Sequence, residues 1–218
     1  MIILYDFELS AECYAVRLLL GFTGLAHEIR PVDMFPGREQ DEAWFRALSP
    51  DGTLPVLDDD GLVLTALPAI LAHIAARSGG LGRWWPAAAR DEIARWFAHA
   101  ESLADSALRA RWIITTGDGH SLPVLQVRAH ALLRTLDRHV WFAEKSGADW
   151  LAAGAHPSLA DVAVFPAVAL CEEGGISRQD YPAIRRWLDR VRRIPGFHVM
   201  SGVFPAGPAR ADVPFGSQ

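Results

Sequence analysis

Ser10, Cys13 and the pair Leu54-Pro55 are the positions where residue type and setting could support chemistry. Ser10 precedes a stretch with Val16, Leu19 and Leu20 at helical spacing and Glu12 in its first turn, so it reads as an N-cap. Free N–H groups and the positive end of the helix dipole converge there, and a thiolate placed beside them is stabilised. The Ser10 hydroxyl could donate to such an anion, or it could do no more than cap the helix. Cys13 follows three residues on, so Ser10-Ala-Glu-Cys13 has the spacing of a C-x-x-C redox motif without its exposed first cysteine. One turn into the helix, Cys13 reads as a small, partly covered residue beside the site, and Leu9 as its neighbour in the loop. Cys171, far along the chain, reads as packing.

Around Pro55 the sequence runs from a loop into two short strands and a helix. Pro55-Val56-Leu57 and Leu62-Val63-Leu64 flank Asp60-Gly61, a pair that accepts positive φ, which is a hairpin signal. Pro68 then sits where the first turn of a helix tolerates it. A cis peptide between Leu54 and Pro55 would turn the Leu54 N–H and C=O outward, free to pair with an extended ligand backbone. A trans proline at a strand start is the plain alternative.

Composition narrows the function. The chain has 218 residues, half of them hydrophobic, and a formal charge of −5. That surface attracts neither nucleic acid nor an anionic membrane, and no basic block offsets it. No apolar run reaches membrane-spanning length and no charged leader precedes the first strand, so a cytoplasmic chain is expected. Two distant cysteines suit a reducing compartment, and eight scattered His give no metal-ligand spacing, so no metal is expected.

The elements that must position these residues follow from periodicity. Residues 2–5 form a short buried strand, 10–24 a capped helix ended by Gly24, 27–33 a strand, and 41–48 a short helix. With the hairpin and a helix over 68–77 the order is βαβαββα, a small mixed sheet with helices on both faces. Ser78-Gly-Gly-Leu-Gly82 and Arg83-Trp-Trp-Pro86 break the pattern, so residues 1–78 are expected as an α/β domain and 79–86 as a linker. Residues 87–200 read as all-helical, with helices near 87–110, 123–145, 158–172 and 181–193. The tail, 201–218, reads as extended chain. A substrate pocket between the domains would be bordered by the first loop and by Arg109, Arg111 and Trp112, although arginines at a helix end are commonly solvated partners of its dipole.

The stretch 49–65, the Val16-Arg17 pair behind Ser10, the box Ser158-Leu-Ala-Asp161 and the segment 181–197 ending in Pro195-Gly196 together resemble the glutathione S-transferases. The resemblance spans nearly the whole chain. It implies a thioredoxin-like domain followed by an all-α bundle, a cis Pro55 and Ser10 in the catalytic position. Glutathione would be the cosubstrate, contacting Leu54, Pro55, Thr65, Ala66 and Leu67, and a small apolar electrophile would fill a pocket near Leu9, Cys13, Arg109 and Trp112. A homodimer is also implied, and eight Trp are many for one small core.

One departure stands out. Where the family carries Glu or Asp followed by Ser to hold the γ-glutamyl end of glutathione, this chain has Ala66-Leu67, leaving Thr65 as the capping candidate. Two functions follow from different classes: a transferase using Ser10 to stabilise a glutathione thiolate without a covalent enzyme intermediate, or a non-catalytic binding protein that has lost ordinary glutathione binding. A thiol-disulfide oxidoreductase would need a cysteine where Ser10 stands.

Overall fold

The computed structural model describes residues 1–117 and 121–200. Four largely apolar residues followed by an aspartate, Ile2–Asp6, form β1, one of the two inner strands of a four-stranded sheet ordered β2-β1-β3-β4. β2 (His27–Pro31) runs parallel to β1, pairing Ile2 with His27. β3 (Val56–Asp59) runs antiparallel to it, pairing Leu4 with Leu57. β4 (Leu62–Leu64) closes the hairpin through Asp60 and Gly61, whose φ values of 51° and 92° are those a two-residue turn of this hand requires. β2 is an exposed edge strand; the Val32 N–H still reaches the Asp6 carbonyl at 2.7 Å, but β1 ends at Asp6, so β2 stops at Pro31 and is shorter than its alternation suggests.

α1 (Ala11–Thr23) packs its buried face, including Val16, Leu19 and Leu20, on the sheet, and Gly24 ends it in the left-handed conformation. α2 (Ala43–Leu48) follows a 3-10 turn at Glu39–Asp41 and sends Phe45 into a separate small cluster with Tyr5, Val32 and Val56. Trp44 is exposed, so only part of the expected apolar side is buried. α3 (Leu67–Arg77) is tied to the sheet by Asp59, which accepts from His73 at 2.8 Å and Arg77 at 2.7 Å. α4 (Leu81–Trp84) is a single turn inside the Gly-rich connector, held by Trp84 stacked on Phe22.

The remaining helices are α5 (Arg90–Leu103), α6 (Arg109–Thr116), α7 (Leu122–Lys145), α8 (Leu159–Ala169) and α9 (Pro182–Arg192). The helix expected over 87–110 runs on to Thr116, because its first stop signal is Gly117, at φ 80°. A π-helical turn at Ala104–Leu108 divides it into α5 and α6. The helix expected to reach residue 172 ends at Ala169, and Cys171 lies in the 3-10 turn that follows. α8 is buried on every side, and its start is fixed by a capping box: Ser158 caps, while Asp161 accepts the Ser158 N–H at 2.9 Å. Asp161 also accepts from the Leu151 N–H at 3.0 Å and the Trp187 indole at 2.9 Å, joining α8, α9 and the loop before them.

α8 packs on both α1 and α5, so a single hydrophobic core runs from the sheet into the bundle. Gly196 lies against Gly21 so closely that a Cβ on either would meet the other's carbonyl oxygen, which seats the segment after α9 on α1. Tyr14 secures it by donating to the His198 carbonyl at 2.8 Å. The tail read as extended chain lies outside the described residues. Among those residues no helix is long and apolar enough to cross a membrane.

Candidate active site

Ser10 caps α1 with an extended backbone, and its Oγ accepts the Cys13 N–H at 3.2 Å. Two guanidinium groups hold the loop in front of it. Arg17, ion-paired with Asp6, donates from Nη2 to the Glu8 carbonyl at 3.1 Å. From the other side Arg111 of α6 donates from Nη1 to the Leu9 carbonyl at 2.7 Å and from Nε to Glu173 at 2.6 Å. Successive carbonyls are thus clamped by the α/β half and by the helical half.

Leu9 and Ser10 border a cavity of about 460 Å³ whose other walls include Met34, Leu108, Arg111 and Trp112. Trp112 is 45% exposed and meets Phe35 edge to face at 6.2 Å. A second lobe of about 320 Å³ shares Ala11, Glu12 and Leu54 with the first and is walled by Pro55, Thr65, Ala66, Leu67, Phe97 and Pro166. The π-helical turn contributes Ala104 and Leu108 to both lobes, so the irregular turn of the long helix faces the cleft. The Leu54-Pro55 peptide is cis, and the Leu54 N–H and C=O have no protein partner among the described residues.

Ser10, Leu9, Leu54, Pro55, Thr65, Ala66, Leu67 and Trp112 therefore share one two-lobed cleft, whereas Cys13 and Arg109 do not reach it. Cys13 has no exposed surface; burial, reinforced by the nearby Asp6 charge, pushes its thiol up to about 12. Arg109 is exposed and projects from the opposite side of the helix from Arg111, as residues two apart must. Arg109 is solvated as expected but stands inside the long helix and not at its end, whereas Arg111 is 6% exposed. Only its partners distinguish it, and Glu173 lies 62 residues away, beyond any local pattern.

Thr65 is not the cap of α3. Ala66 holds that position, with φ −87° and ψ 124°, and no side chain caps the helix. The Ile70 N–H returns to the Ala66 carbonyl at 3.0 Å, and Pro68 has no N–H, so the Leu67 and Ala69 amides are the first-turn donors left at the cleft wall. The two residues that replace the acid and hydroxyl offer only apolar side chains there. Among the described residues no group of three or more His, Cys, Asp or Glu is placed to hold a metal ion.

A thioredoxin-like sheet, a serine-capped first helix and an all-helical domain packed over the resulting cleft define a two-domain protein with a thioredoxin-like first half. The family profile described as "Glutathione S-transferase, N-terminal domain" matches residues 4–81. Glutathione S-transferase D7 of Anopheles gambiae is 27% identical over 195 residues, covering 87% of this chain and 85% of that protein. A maleylacetoacetate isomerase of Pseudomonas aeruginosa is 28% identical over 206 residues, covering 89% and 92%. Among solved structures, a glutathione S-transferase from Pseudomonas fluorescens superposes with a TM-score of 0.81 at 27% identity, over 91% of this chain and 98% of that one. One from Xanthobacter autotrophicus gives 0.79 at 26%, over 92% and 97%. Residues 4–81 thus carry the N-terminal domain of the glutathione S-transferases, and nearly the whole chain is similar to members of that family.

Proposed function

We propose that this protein transfers the glutathione thiolate to a small, largely apolar electrophile, with Ser10 as the hydrogen-bond donor to the sulfur. The observation that carries the reading is the position of Ser10: its hydroxyl caps α1 on the wall of a cleft whose opposite side is lined by Phe97, Leu108 and Trp112. An extended cysteinyl ligand laid along Leu54 would pair with its free N–H and C=O, placing the sulfur near Ser10 and the γ-glutamyl end near Ala66-Leu67. The dipole and the hydroxyl lower the thiol pKa, and the apolar lobe holds the electrophile beside it. Catalysis is stabilisation and positioning, with no bond to the enzyme.

Turnover of chlorodinitrobenzene that depends on glutathione tests this directly. Ala66-Leu67 favours a second reading, a binding protein of the same fold without catalysis. Retention on a glutathione matrix without turnover would select that reading. We place the protein in the cytoplasm as a homodimer, with exposed Val124 and Val127, one turn apart on α7, as part of the apolar surface available for pairing.

A further inference from the structure

The lobe of about 320 Å³ beside Ala66-Leu67 is lined by two carboxylates, Glu12 of α1 and Glu101 of α5, and by no Arg, Lys or His. Their neighbours on the long helix have cations to hand: Glu92 lies 3.6 Å from Arg95, and Asp105 4.0 Å from Arg128. Glu12 and Glu101 take part in no ion pair among the described residues, and both keep exposed surface that a ligand can reach. The same wall holds Leu54, whose unpaired N–H and C=O fit an extended ligand, and Leu67, whose N–H is free at the start of α3. Glutathione brings one ammonium and two carboxylates to this field. The wall attracts the first and repels the other two. A carboxyl group masked as an ester or amide escapes that repulsion and still offers a carbonyl oxygen to the Leu67 N–H.

Resting on the transferase reading above, we infer that Glu101 receives the ammonium of the thiol cosubstrate, and that this lobe selects a cationic peptide thiol, its carboxyl groups carried as esters or amides, over glutathione itself. Glu101 lines only the lobe that contains Ala66 and Leu67, so it stands where the ammonium of a ligand laid along Leu54 would arrive. Glu12 lines both lobes and adds its charge at their junction. An acid on α5 thus takes over, from across the lobe, half of the task that the start of α3 has lost. The half that held a carboxylate has no cation to replace it, and discrimination against a free carboxylate follows from that asymmetry.

The test uses three thiols of one skeleton with chlorodinitrobenzene: glutathione diethyl ester, which keeps only the ammonium, glutathione, and N-acetylglutathione, which keeps only the carboxylates. Each kcat/KM is divided by the uncatalysed rate constant of the same thiol, which removes differences in intrinsic reactivity. The expected order is diester above glutathione above N-acetylglutathione, with about tenfold at each step at low ionic strength and a narrower spread in salt. Glu101→Gln should bring the diester and N-acetylglutathione closer by about tenfold, and Glu101→Asp should keep most of the spread. A merely structural role for Glu101 would lower all three thiols alike. If Glu101→Gln does not fold, the order and its salt dependence in the unaltered protein still decide. Glutathione at or above the diester, or an order unchanged in Glu101→Gln, would overturn the inference and leave the transferase reading standing. Absence of turnover with all three thiols would remove both.

Discussion

Ser10 Oγ accepts the Cys13 N–H at 3.2 Å, a bond that uses a lone pair and leaves the hydroxyl proton free. A serine hydroxyl carries one donor and two acceptor sites, so capping α1 and donating to a thiolate are compatible tasks for the same oxygen. The cap also fixes the direction of the hydroxyl, because its partner is backbone in the first turn of a buried helix.

The missing anchor at the start of α3 can be restored. A glutathione laid along Leu54 meets a methyl and an isobutyl group at Ala66-Leu67, which forfeits two charge-assisted hydrogen bonds of ~1.5–3 kcal/mol each, less what water and the free helix amides recover. Calorimetry should therefore find binding near millimolar, and Ala66→Glu/Leu67→Ser should tighten it by about one to three decades. Micromolar binding by the unaltered protein would show that other groups hold the glutamyl end.

Asp161 should matter more for stability than any residue of the cleft. It accepts from two backbone amides, the Ser158 hydroxyl and the Trp187 indole, so Asp161→Ala strands four buried donors. A loss on the order of 3–5 kcal/mol is expected in denaturant unfolding, against ~1 kcal/mol for removing the Ser10 cap. A loss no larger than that of the Ser10 variant would contradict this ranking.

Both thiols should be silent in the native protein. Burial pushes Cys13 and Cys171 up to about 12, far from the range in which a thiolate reacts at neutral pH. A disulfide reagent at pH near neutral should label neither cysteine until denaturant is added, and then both. Fast labelling of Cys13 in the folded chain would reopen the oxidoreductase reading.

His99 should impose a pH dependence. It lies beside Trp96, ring centres 5.1 Å apart, and burial, helped by nearby His139, lowers its pKa from 6.5 to about 4. The unfolded chain therefore binds a proton that the folded one refuses, and stability declines as pH drops from about 6.5 to about 4, by at most ~3 kcal/mol from this group. His99→Phe should flatten that decline in unfolding midpoints measured between these limits. An unchanged slope would show that other groups cause it.

The fold was legible because its signals are local. The Asp60-Gly61 turn, the Ser158/Asp161 box and the Gly24 stop each depend on a few adjacent residues, and all three stand where the sequence puts them. Ser10 as a cap was legible for the same reason. Features that depend on distant partners were not. Arg111 looks like Arg109 in sequence, and only its pairing with Glu173 and Leu9 separates them. Cys13 was expected beside the pocket, yet Phe45 and Val32, brought from α2 and the loop after β2, cover it completely. The cap of α3 falls on Ala66 and not on Thr65 because the helix begins at Leu67, one residue later than a Thr65 cap requires.

The central claim is that Ser10 stabilises a bound thiolate, and the pH dependence of kcat at saturating glutathione tests it most directly, because that profile reports groups in the complex. The thiolate is the reactive form, so the rate should rise with pH and level off above the pKa of the bound thiol. In the unaltered protein the midpoint should lie at least ~1 unit below the ~8.5 of a free thiol. Ser10→Ala should return it toward that value and lower the neutral-pH rate by about ten- to a thousandfold. The same midpoint and the same rate in both proteins would contradict the account and leave Ser10 as a helix cap alone.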